Sequence, residues 1–554
     1  MTQKSIEPME VSLQQEPSHG GWISAIYIIG VEIAERFAYY GMFGNLMTYL
    51  TDVLGESTAT AAKNVNIWFG ITTLLPLLGA VIADSYLGRF KAIFFSSLIY
   101  LMGLVMLTVS TTKAIPPEFR GQLFFFSLYI VSIGEAGHKP CVQAFGADQF
   151  NEEKPEERKA KSSFFNWWYF GTSGGAMTAM LIVIYVQDNV GWAVGFGIPA
   201  AAMAMALVLF LLGRRRYRLQ AAKGSSPLTR VAQVLVAAGR KWRLSVSKDD
   251  HGGNIEEGKA GLNMGVHFLS TTRPLAPTHQ FRFLDKATVV DNIDLSSNNK
   301  NNWRLCTVTQ VEEVKLLLRL VPIWFSGLMY AVVFAQTNTL FTKQGRTMDR
   351  RIGSKFQIPP ASLQVSIPLV VIFAVPIYDR IFVPVTRRLT GIPYGVTMLQ
   401  RIGIGLFIST IGMVIAALVE SRRILISKEH GLLEQPKITV PMSVWWLLPQ
   451  YMIWGISDVF AVIGLTELFY DQMPEDMRSI GSAVFLSMFG TGSLLSSSVI
   501  SIVQSMSSRF GDKWLDNNLN KAHLDYYYWL LAGLSSLWLV MYVGLAKFFV
   551  YKKN

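Results

Sequence analysis

Three ionisable side chains, Glu32, Glu35 and Arg36, lie within five residues in a segment that is otherwise apolar from Trp22 to Leu50. A charge at the centre of a bilayer costs roughly 2.5–3.5 kcal/mol on insertion scales, so a helix that carries one usually faces a partner charge or a water-filled path. On a helix Glu32 can pair with Arg36, four residues later, and shares a face with Glu35. The group is therefore a candidate for handling ions. The alternative is an ion pair that only helps the segment to insert.

The composition predicts that these charges lie in a membrane. The chain has 554 residues, of which 51% are hydrophobic and 16% charged, with a mean hydropathy of +0.32. A run of about 18–20 apolar residues can cross a bilayer as a helix. We predict an all-α membrane protein with twelve spans, at Trp22–Leu50, Ile67–Ala83, Ile93–Ser110, Leu123–Val142, Phe164–Val186, Trp192–Leu212, Val314–Leu340, Leu363–Ile377, Ile402–Val419, Val444–Phe469, Ile480–Met506 and Tyr526–Phe549.

A polar linker separates the first six predicted spans from the last six. It begins with four arginines among residues 214–218, and such basic flanks mark the cytosolic side of a membrane. Its middle, Lys248–Gly261, is expected to be disordered, whereas Val231–Ala238 could form a short amphipathic helix. Two packed halves with a site between them are a usual arrangement for a transporter. The predicted divisions are a cytosolic tail at 1–21, a six-helix bundle at 22–213, the cytosolic linker at 214–311, a second bundle at 312–550 and a cytosolic tail at 551–554.

Several classes of function fit this sequence poorly. The net charge is +12, but the basic residues flank apolar runs, which favours contact with anionic lipid over nucleic acid. Cys141 and Cys306 are expected to be free thiols. The seven histidines show no metal-ligand spacing, so neither a metal site nor a membrane-bound enzyme is predicted. The positive-inside rule has one exception, a loop on the predicted outer side that contains Arg346, Arg350, Arg351 and Lys355.

Two predicted cytosolic loops each put an acid at a helix end and arginines in a tight turn. Glycine in such a loop permits a tight turn and close helix packing, and the acid could pair with a charge in the opposite half. The first loop resembles the hallmark loop of the major facilitator superfamily, and the second is a weaker echo of it. The resemblance implies the major facilitator fold, with these residues in gating; a generic basic turn is the alternative. The residues are Gly79, Asp84, Gly88 and Arg89 in the first loop, and Asp379 and Arg380 in the second.

Longer stretches resemble one family within that superfamily. Glu32-x-x-Glu35-Arg36 matches the E-x-x-E-[RK] motif of the proton-coupled oligopeptide/nitrate transporter family. Further matches are the family's fourth-span and fifth-span signatures, with a membrane lysine in the former, and two segments typical of its plant branch. The resemblance covers nearly the whole chain apart from the N-terminal tail and the middle of the linker. These four stretches are Gly137–Phe150 with its lysine at Lys139, Ser163–Phe170, Phe281–Ala287 and Phe469–Pro474.

The resemblance implies a proton-coupled symporter that works by alternating access, with the proton as coupling ion and no other cofactor. Glu32, Glu35 and Arg36 match the proton-coupling motif, and Lys139 is their expected partner from the fourth span. A carboxylate beside a cation changes its affinity for a proton when that cation moves away. The alternative for Lys139 is a lysine that reaches to the cytosolic interface, and His138 is also predicted to be interfacial.

At the positions expected to contact the substrate, this sequence differs from the sequences of the peptide-transporting relatives. These relatives carry an arginine where this chain has Phe43, and an acid where it has Ala335. Phe334 stands where nitrate-transporting relatives can have a histidine, and Asp458 stands where the family usually has a glutamate. Packing is the alternative role for the aromatic residues, and a pair with a neighbouring hydroxyl or amine is the alternative for Asp458. The substrate-binding candidates are Tyr39, Tyr40, Phe43, Ser173, Trp324, Phe334, Gln336, Asn338 and Asp458.

These departures favour some substrates over others. Nitrate, or a small organic molecule such as a hormone or specialised metabolite, fits better than a dipeptide or tripeptide, with Arg36, Lys139 and Gln336 as candidate contacts. A solute sensor with little net transport is the alternative function. The expected partners are the substrate, protons and the lipid bilayer, in either the plasma membrane or the vacuolar membrane of a plant cell. The oligomeric state is not predicted.

Overall fold

The fold is described from a computed structural model of the chain. The described residues are 20–151, 154–219, 227–242, 278, 280–289, 301–353, 356–391, 395–473, 478–509, 513–549 and 551. Most of the tail predicted at 1–21 and the segment Lys248–Gly261 lie outside these ranges.

The first half is built from helices that begin soon after residue 20. Ser57 caps one of them, because its hydroxyl oxygen accepts a hydrogen bond from the Thr60 backbone N–H at 3.1 Å. A π-helical turn, Ala83–Leu87, and a 3-10 turn, Gly213–Arg216, follow the third and the last of these helices. The helices are α1 (Gly21–Phe43), α2 (Leu46–Asp52), α3 (Thr58–Ile82), α4 (Arg89–Ser110), α5 (Pro117–Ala147), α6 (Pro155–Asn189) and α7 (Trp192–Leu212).

The linker and the second half continue the helical pattern. The helices are α8 (Pro227–Arg240) in the linker, then α9 (Val308–Phe334), α10 (Leu340–Arg346), α11 (Ser366–Ile377), α12 (Val383–Thr390), α13 (Met398–Glu429), α14 (Leu448–Asp471), α15 (Arg478–Arg509) and α16 (Leu524–Lys547). Shorter turns are 3-10 at Arg282–Thr288, Ala335–Asn338, Pro360–Val365 and Val444–Leu447, and π-helical at Tyr378–Phe382. Strand β1 (Met348–Asp349) pairs in parallel with β4 (Val440–Ser443), and β2 (Arg351–Ile352) pairs antiparallel with β3 (Phe356–Gln357).

The long helices confirm the predicted membrane fold. Within the described residues, ten helical segments are long and apolar enough to cross a bilayer. The remaining two spans are α1 and α5, which have 23 and 31 residues and carry charges among their apolar residues. Helix α1 packs on α6 and α7, and α5 packs on α3 and α4, while α13 packs on α14 and α16 in the other half. Helices α3 and α15 form the main contact between the halves.

Two predicted spans are broken rather than continuous. The span predicted at Trp22–Leu50 is interrupted after α1 by Gly44 and Asn45, two residues of low helix propensity. The span predicted at Val314–Leu340 is interrupted after α9, because Thr339 has φ −118° and ψ −89°, outside the helical region. Both breaks occur near the outer ends of their helices.

The described part of the linker docks on the cytosolic start of α9. Val234 of α8, Leu284 of the 3-10 turn and Val311 of α9 share one small apolar core, which confirms the predicted amphipathic helix. Lys315 of α9, which is only 1% exposed, lies 2.6 Å from Asp285 in the turn. Lys315 also lies 2.7 Å from Glu312 of its own helix, so this lysine connects the linker turn to α9.

Candidate functional site

A network of charged side chains is buried between α1 and α5. The Arg36 Nε atom lies 2.5 Å from Glu35 Oε2 and 3.3 Å from Glu32 Oε1. From α5, Glu135 places its Oε1 atom 3.1 Å from the Lys139 ammonium and 3.8 Å from the Arg36 guanidinium. The carboxylates are almost fully buried, with Glu35 and Glu135 at 0% exposure. We call these five residues the inner cluster.

The inner cluster contains one more acid than base. Three carboxylates face two cations, which leaves one negative charge when all five groups are ionised. Within the described residues, Glu32 Oε2, Glu35 Oε1 and Glu135 Oε2 are buried without a hydrogen-bond partner. Charges attract more strongly in a buried environment than in water, and an uncompensated buried charge is costly. The arrangement can therefore take up one positive charge, and a proton is the smallest that would fit.

The aromatic residues predicted near the inner cluster divide into packed and partly open positions. Tyr39 and Phe43 are 3% and 5% exposed, and Phe43 packs between Trp68 and Phe69, with ring centroids 5.6 Å and 5.2 Å away. Tyr39 and Phe43 therefore lie in the core of the first half, and their role as substrate contacts stays a prediction. Both side chains have the packing role that the sequence analysis gave as the alternative for the aromatic residues. Tyr40, one residue further on, remains half-buried.

The candidates from α9 and its following turn also differ in exposure. Phe334 and Asn338 are half-buried and lie one turn apart, and Trp324 donates its Nε1–H to Ser487 at 3.1 Å. Gln336 is fully buried and donates to Ser496 at 3.1 Å. Ser496 also accepts a hydrogen bond from Asn66 of the first half at 3.1 Å, so Gln336 belongs to the junction between the halves. Its predicted role as a substrate contact stays a prediction.

Asp458 of α14 faces the first half. The Tyr330 hydroxyl donates a hydrogen bond to its carboxylate, which is the hydroxyl partner that sequence reasoning left as an alternative. Tyr40 and Tyr169 of the first half also interact electrostatically with Asp458, and Tyr169 hydrogen-bonds Ser173. Tyrosine side chains from both halves therefore lie near Asp458, and one of them, Tyr169, is exposed.

A second group of charges joins the two halves at their outer ends. Arg346 lies 2.9 Å from Asp52 and 3.0 Å from Asp188, Arg350 lies 3.3 Å from Asp188, and Lys343 lies 3.3 Å from Asp52. We call these five residues the outer cluster. Burial alone would raise the pKa of Asp52, but Lys343 and Arg346 hold that pKa below its ordinary value of 3.8. Acids of the first half thus neutralise Arg346 and Arg350, two of the four basic residues that form the exception to the positive-inside rule. Arg351 pairs with Asp349, and Lys355 lies outside the described residues.

Comparison with known proteins identifies the family. Residues 90–515 match the model of the POT family, PTR2. Two similar relatives from Arabidopsis thaliana are Protein NRT1/PTR FAMILY 5.4, with 52% identity over 98% of this chain and 97% of the relative, and Protein NRT1/PTR FAMILY 5.10, with 50% identity over 97% and 94%. This chain belongs to the POT family. It is accordingly a membrane transporter and not an enzyme.

Solved POT family structures share the fold at low identity. An auto-inhibited POT family peptide transporter superposes with a TM-score of 0.72 and 22% identity, over 96% of this chain and 98% of that one. The POT family transporter PepTSo gives a TM-score of 0.71 and 21% identity, over 96% and 99%. These likenesses confirm the fold of twelve helices in two halves.

Two residues of this POT transporter's site differ from the sequence prediction. Lys139 was expected to pair with the acids of α1, but in the described chain its ion pair is with Glu135, four residues before it on α5. Its ammonium also lies 5.4 Å from the centroid of the Tyr39 ring. Glu135 was missed, although an acid in an apolar span one turn from a lysine is itself a signal.

His138 was predicted at the interface but is fully buried. One donor atom each from His138, Glu32 and Glu35 lie within 4.8 Å of one another. Sequence spacing could not reveal this group, because its members come from two different helices.

The predicted gating loops contact their own halves. Arg89 forms an ion pair with Asp148 of the first half. Gly88 adopts φ +74°, which favours glycine, and a Cβ atom at Gly79 would lie 1.9 Å from the Ala136 carbonyl oxygen on α5. The Asp84 side chain lies outside the described residues. Asp379 and Arg380 are exposed, and among the described side chains neither forms an ion pair, so the expected contact across the halves is not observed there.

Proposed function

We propose that this POT family transporter couples the movement of a small solute to the movement of a proton, with the proton bound by the inner cluster. The observation that supports this most strongly is the excess carboxylate between α1 and α5. A proton on Glu32 or Glu35 makes the cluster neutral, and its release restores the negative charge. Because a buried charge is costly, the protonated and unprotonated clusters favour different arrangements of the helices around them.

The outer cluster is proposed to supply the conformational part of this cycle. Its ion pairs join the halves at one end, so they hold the outer side closed, while Arg89 of the first cytosolic loop pairs within its own half. Opening the outer side requires separating Asp52 and Asp188 from their basic partners in the second half. Partly exposed ion pairs contribute only about 0–1 kcal/mol each, which allows them to break and re-form during transport.

The proposed substrate is a small anion such as nitrate, or a small organic molecule such as a plant hormone or specialised metabolite. The half-buried substrate-binding candidates other than Asp458 are aromatic or uncharged: Tyr40, Ser173, Trp324, Phe334 and Asn338. Arg36 and Lys139 were the two cations expected to contact the substrate, and both form ion pairs with glutamates. Such a lining suits a partly apolar solute better than a peptide, whose two charged ends each need a partner.

Uptake into liposomes tests this function. The purified full-length chain would be reconstituted and given labelled nitrate, a dipeptide or a hormone acid, with and without an inward proton gradient. We expect accumulation of at least one small non-peptide solute only when the gradient is present, and its loss when a protonophore is added. Uptake that is the same with and without the gradient would refute proton coupling, and binding without net flux would favour a sensor.

We further propose that the protein resides in the plasma membrane or the vacuolar membrane of a plant cell. The Arabidopsis relatives support the plant assignment. A fluorescent fusion imaged beside markers for both membranes distinguishes them, and signal confined to another organelle would contradict both assignments.

A further inference from the structure

We propose that His138 is a third proton-binding residue of the inner cluster, so that the coupling proton is shared between its imidazole and the carboxylates of Glu32 and Glu35. This inference rests on the proposed function and adds a specific residue to it. It starts from a buried histidine that neither the family motif nor the ion-pair network explains.

The hydrogen-bonding capacity of the buried His138 ring is not met within the described residues. The side chain is 0% exposed, and neither ring nitrogen has a hydrogen-bond partner within the described chain. A neutral imidazole carries one donor and one acceptor, and burying both unpaired is unfavourable. Glu32 Oε2 and Glu35 Oε1 also have no hydrogen-bond partner within the described chain. One carboxylate oxygen of each glutamate and one ring nitrogen of His138 lie within 4.8 Å of one another.

One added proton can give each of these atoms a hydrogen-bond partner. Two ionised carboxylates can only accept hydrogen bonds, so a neutral imidazole can donate to one of them and leaves the other without a donor. When a proton from the outer solution binds a carboxylate oxygen, the new O–H can donate to the imidazole nitrogen while the imidazole N–H donates to the other carboxylate. The same proton can move to the ring and form an imidazolium between two carboxylates. Release to the inner solution breaks the O–H or N–H bond and restores the starting state.

Most of the surrounding charges are already paired, and Arg36 disfavours a full positive charge on the His138 ring. Arg36 already holds the other oxygen of Glu32 and of Glu35. Glu135 and Lys139, on the same helix as His138, pair with each other. Helix α4 contributes the buried Tyr100 hydroxyl, which interacts with Glu35 and Glu135.

The other two helices that pack on α5 add no charge to this group. Helix α3 has no titratable side chain in residues 70–82, and α6 has only tyrosines in residues 162–187. Arg36 and Lys139 each form an ion pair with a glutamate, and Arg36 Nη2 is left without a hydrogen-bond partner within the described residues. The unpaired atoms of Glu32, Glu35 and His138 can together accept one proton.

Infrared difference spectroscopy tests the proposal without a known substrate. The full-length protein in lipid would be titrated from neutral to acidic pH while the C=O stretch of the carboxylic acid is followed. The part of the C=O signal that is missing from the Glu35→Gln variant is assigned to the inner cluster. We expect its midpoint to move to lower pH by about one unit in His138→Leu, because the carboxylic acid loses its acceptor. His138→Gln keeps an acceptor and should show a smaller shift.

The controls separate this inference from the proposed function. Glu118→Gln makes a matched acid-to-amide change at an exposed position on the same helix and should leave the midpoint unchanged. An unshifted midpoint in His138→Leu, with gradient-driven uptake intact in the unaltered protein, would overturn the role of His138 alone. Uptake that ignores the proton gradient in the unaltered protein would instead refute the proposed function.

A zinc titration provides a second way to overturn the proposal. The same three side chains are types that can bind a metal ion. Zn²⁺ that inhibits uptake by the unaltered protein but not by His138→Leu would show a metal site in place of a shared proton. Equal effects of Zn²⁺ on both proteins would support the proton assignment.

Discussion

The inner and outer clusters contain the same kinds of charged residue in opposite settings. The inner cluster lies within one half, has one excess acid, and buries Glu35 and Glu135 completely. The outer cluster joins both halves, has one excess base, and leaves the side chains of Asp52 and Arg346 27% and 32% exposed. At about 4 Å two unit charges attract by ~1 kcal/mol in water but by ~4 kcal/mol at an effective dielectric constant of 20.

This difference separates two tasks that a coupled transporter must perform. The buried cluster responds strongly to the gain or loss of a single proton, because solvent cannot compensate the change in charge. The exposed cluster holds two halves together weakly enough to let them part. Changes to the inner cluster should therefore affect coupling and stability, whereas changes to the outer cluster should affect the balance between conformations.

The largest expected effect on stability comes from Glu135→Gln. The substitution leaves the Lys139 ammonium without its carboxylate in a largely buried site, which should destabilise the protein by about 3 kcal/mol. Denaturation in detergent measures this loss. A double variant with Glu135→Gln and Lys139→Gln should recover most of it, because no unpaired charge remains. A double variant that is less stable than Glu135→Gln alone would contradict the pairing.

A smaller effect is expected from Asp188→Asn in the outer cluster. It removes the partner of both Arg346 and Arg350 and should weaken outer closure by about 1–2 kcal/mol, or ~5–30-fold in population. Spin labels at the exposed positions Val190 and Ile352 would report a second, longer distance across the halves. Asp349→Asn is the matched control, since Asp349 pairs with Arg351 of its own loop. An unchanged distance distribution in Asp188→Asn would show that the cluster does not hold this side closed.

The smallest effect is expected from acidification of the outer solution. The pKa of Asp52 lies below 3.8, so its ion pairs are present above that value and are lost only as pH falls through it. Lowering the pH from about 8 to about 5 should leave the distance between the same labels unchanged when Glu35 is replaced by Gln. A longer distance in that variant at about pH 5 would place a proton-sensitive group in the outer cluster.

The sequence predicted the architecture well because long apolar runs and basic flanks depend on local composition. The motif at Glu32–Arg36 also predicted a charged site. Local sequence does not show which helices contact one another, so Glu135 and His138 were missed as members of that site. Local patterns likewise could not show that Phe43 packs against Trp68, or that Gln336 joins the halves through Ser496, because burial depends on which helices become neighbours.

The breaks within spans were missed for a related reason. Hydropathy averages over a window, so the short interruption at Gly44 and Asn45 leaves the apolar run intact. The basic loop at Arg346 and Arg350 contradicted the topology in sequence and agrees with it in the structure, since Asp188 comes from a helix about 160 residues earlier.

The central claim is that the inner cluster couples a proton to transport, and Glu35→Gln tests it most directly. Liposomes containing this variant would be compared with the unaltered protein in gradient-driven accumulation and in exchange of labelled for unlabelled solute without a gradient. We expect accumulation to be lost while exchange continues, because the helices still rearrange but no proton can bind or leave at that carboxylate. Gradient-driven accumulation that persists in Glu35→Gln would contradict the account.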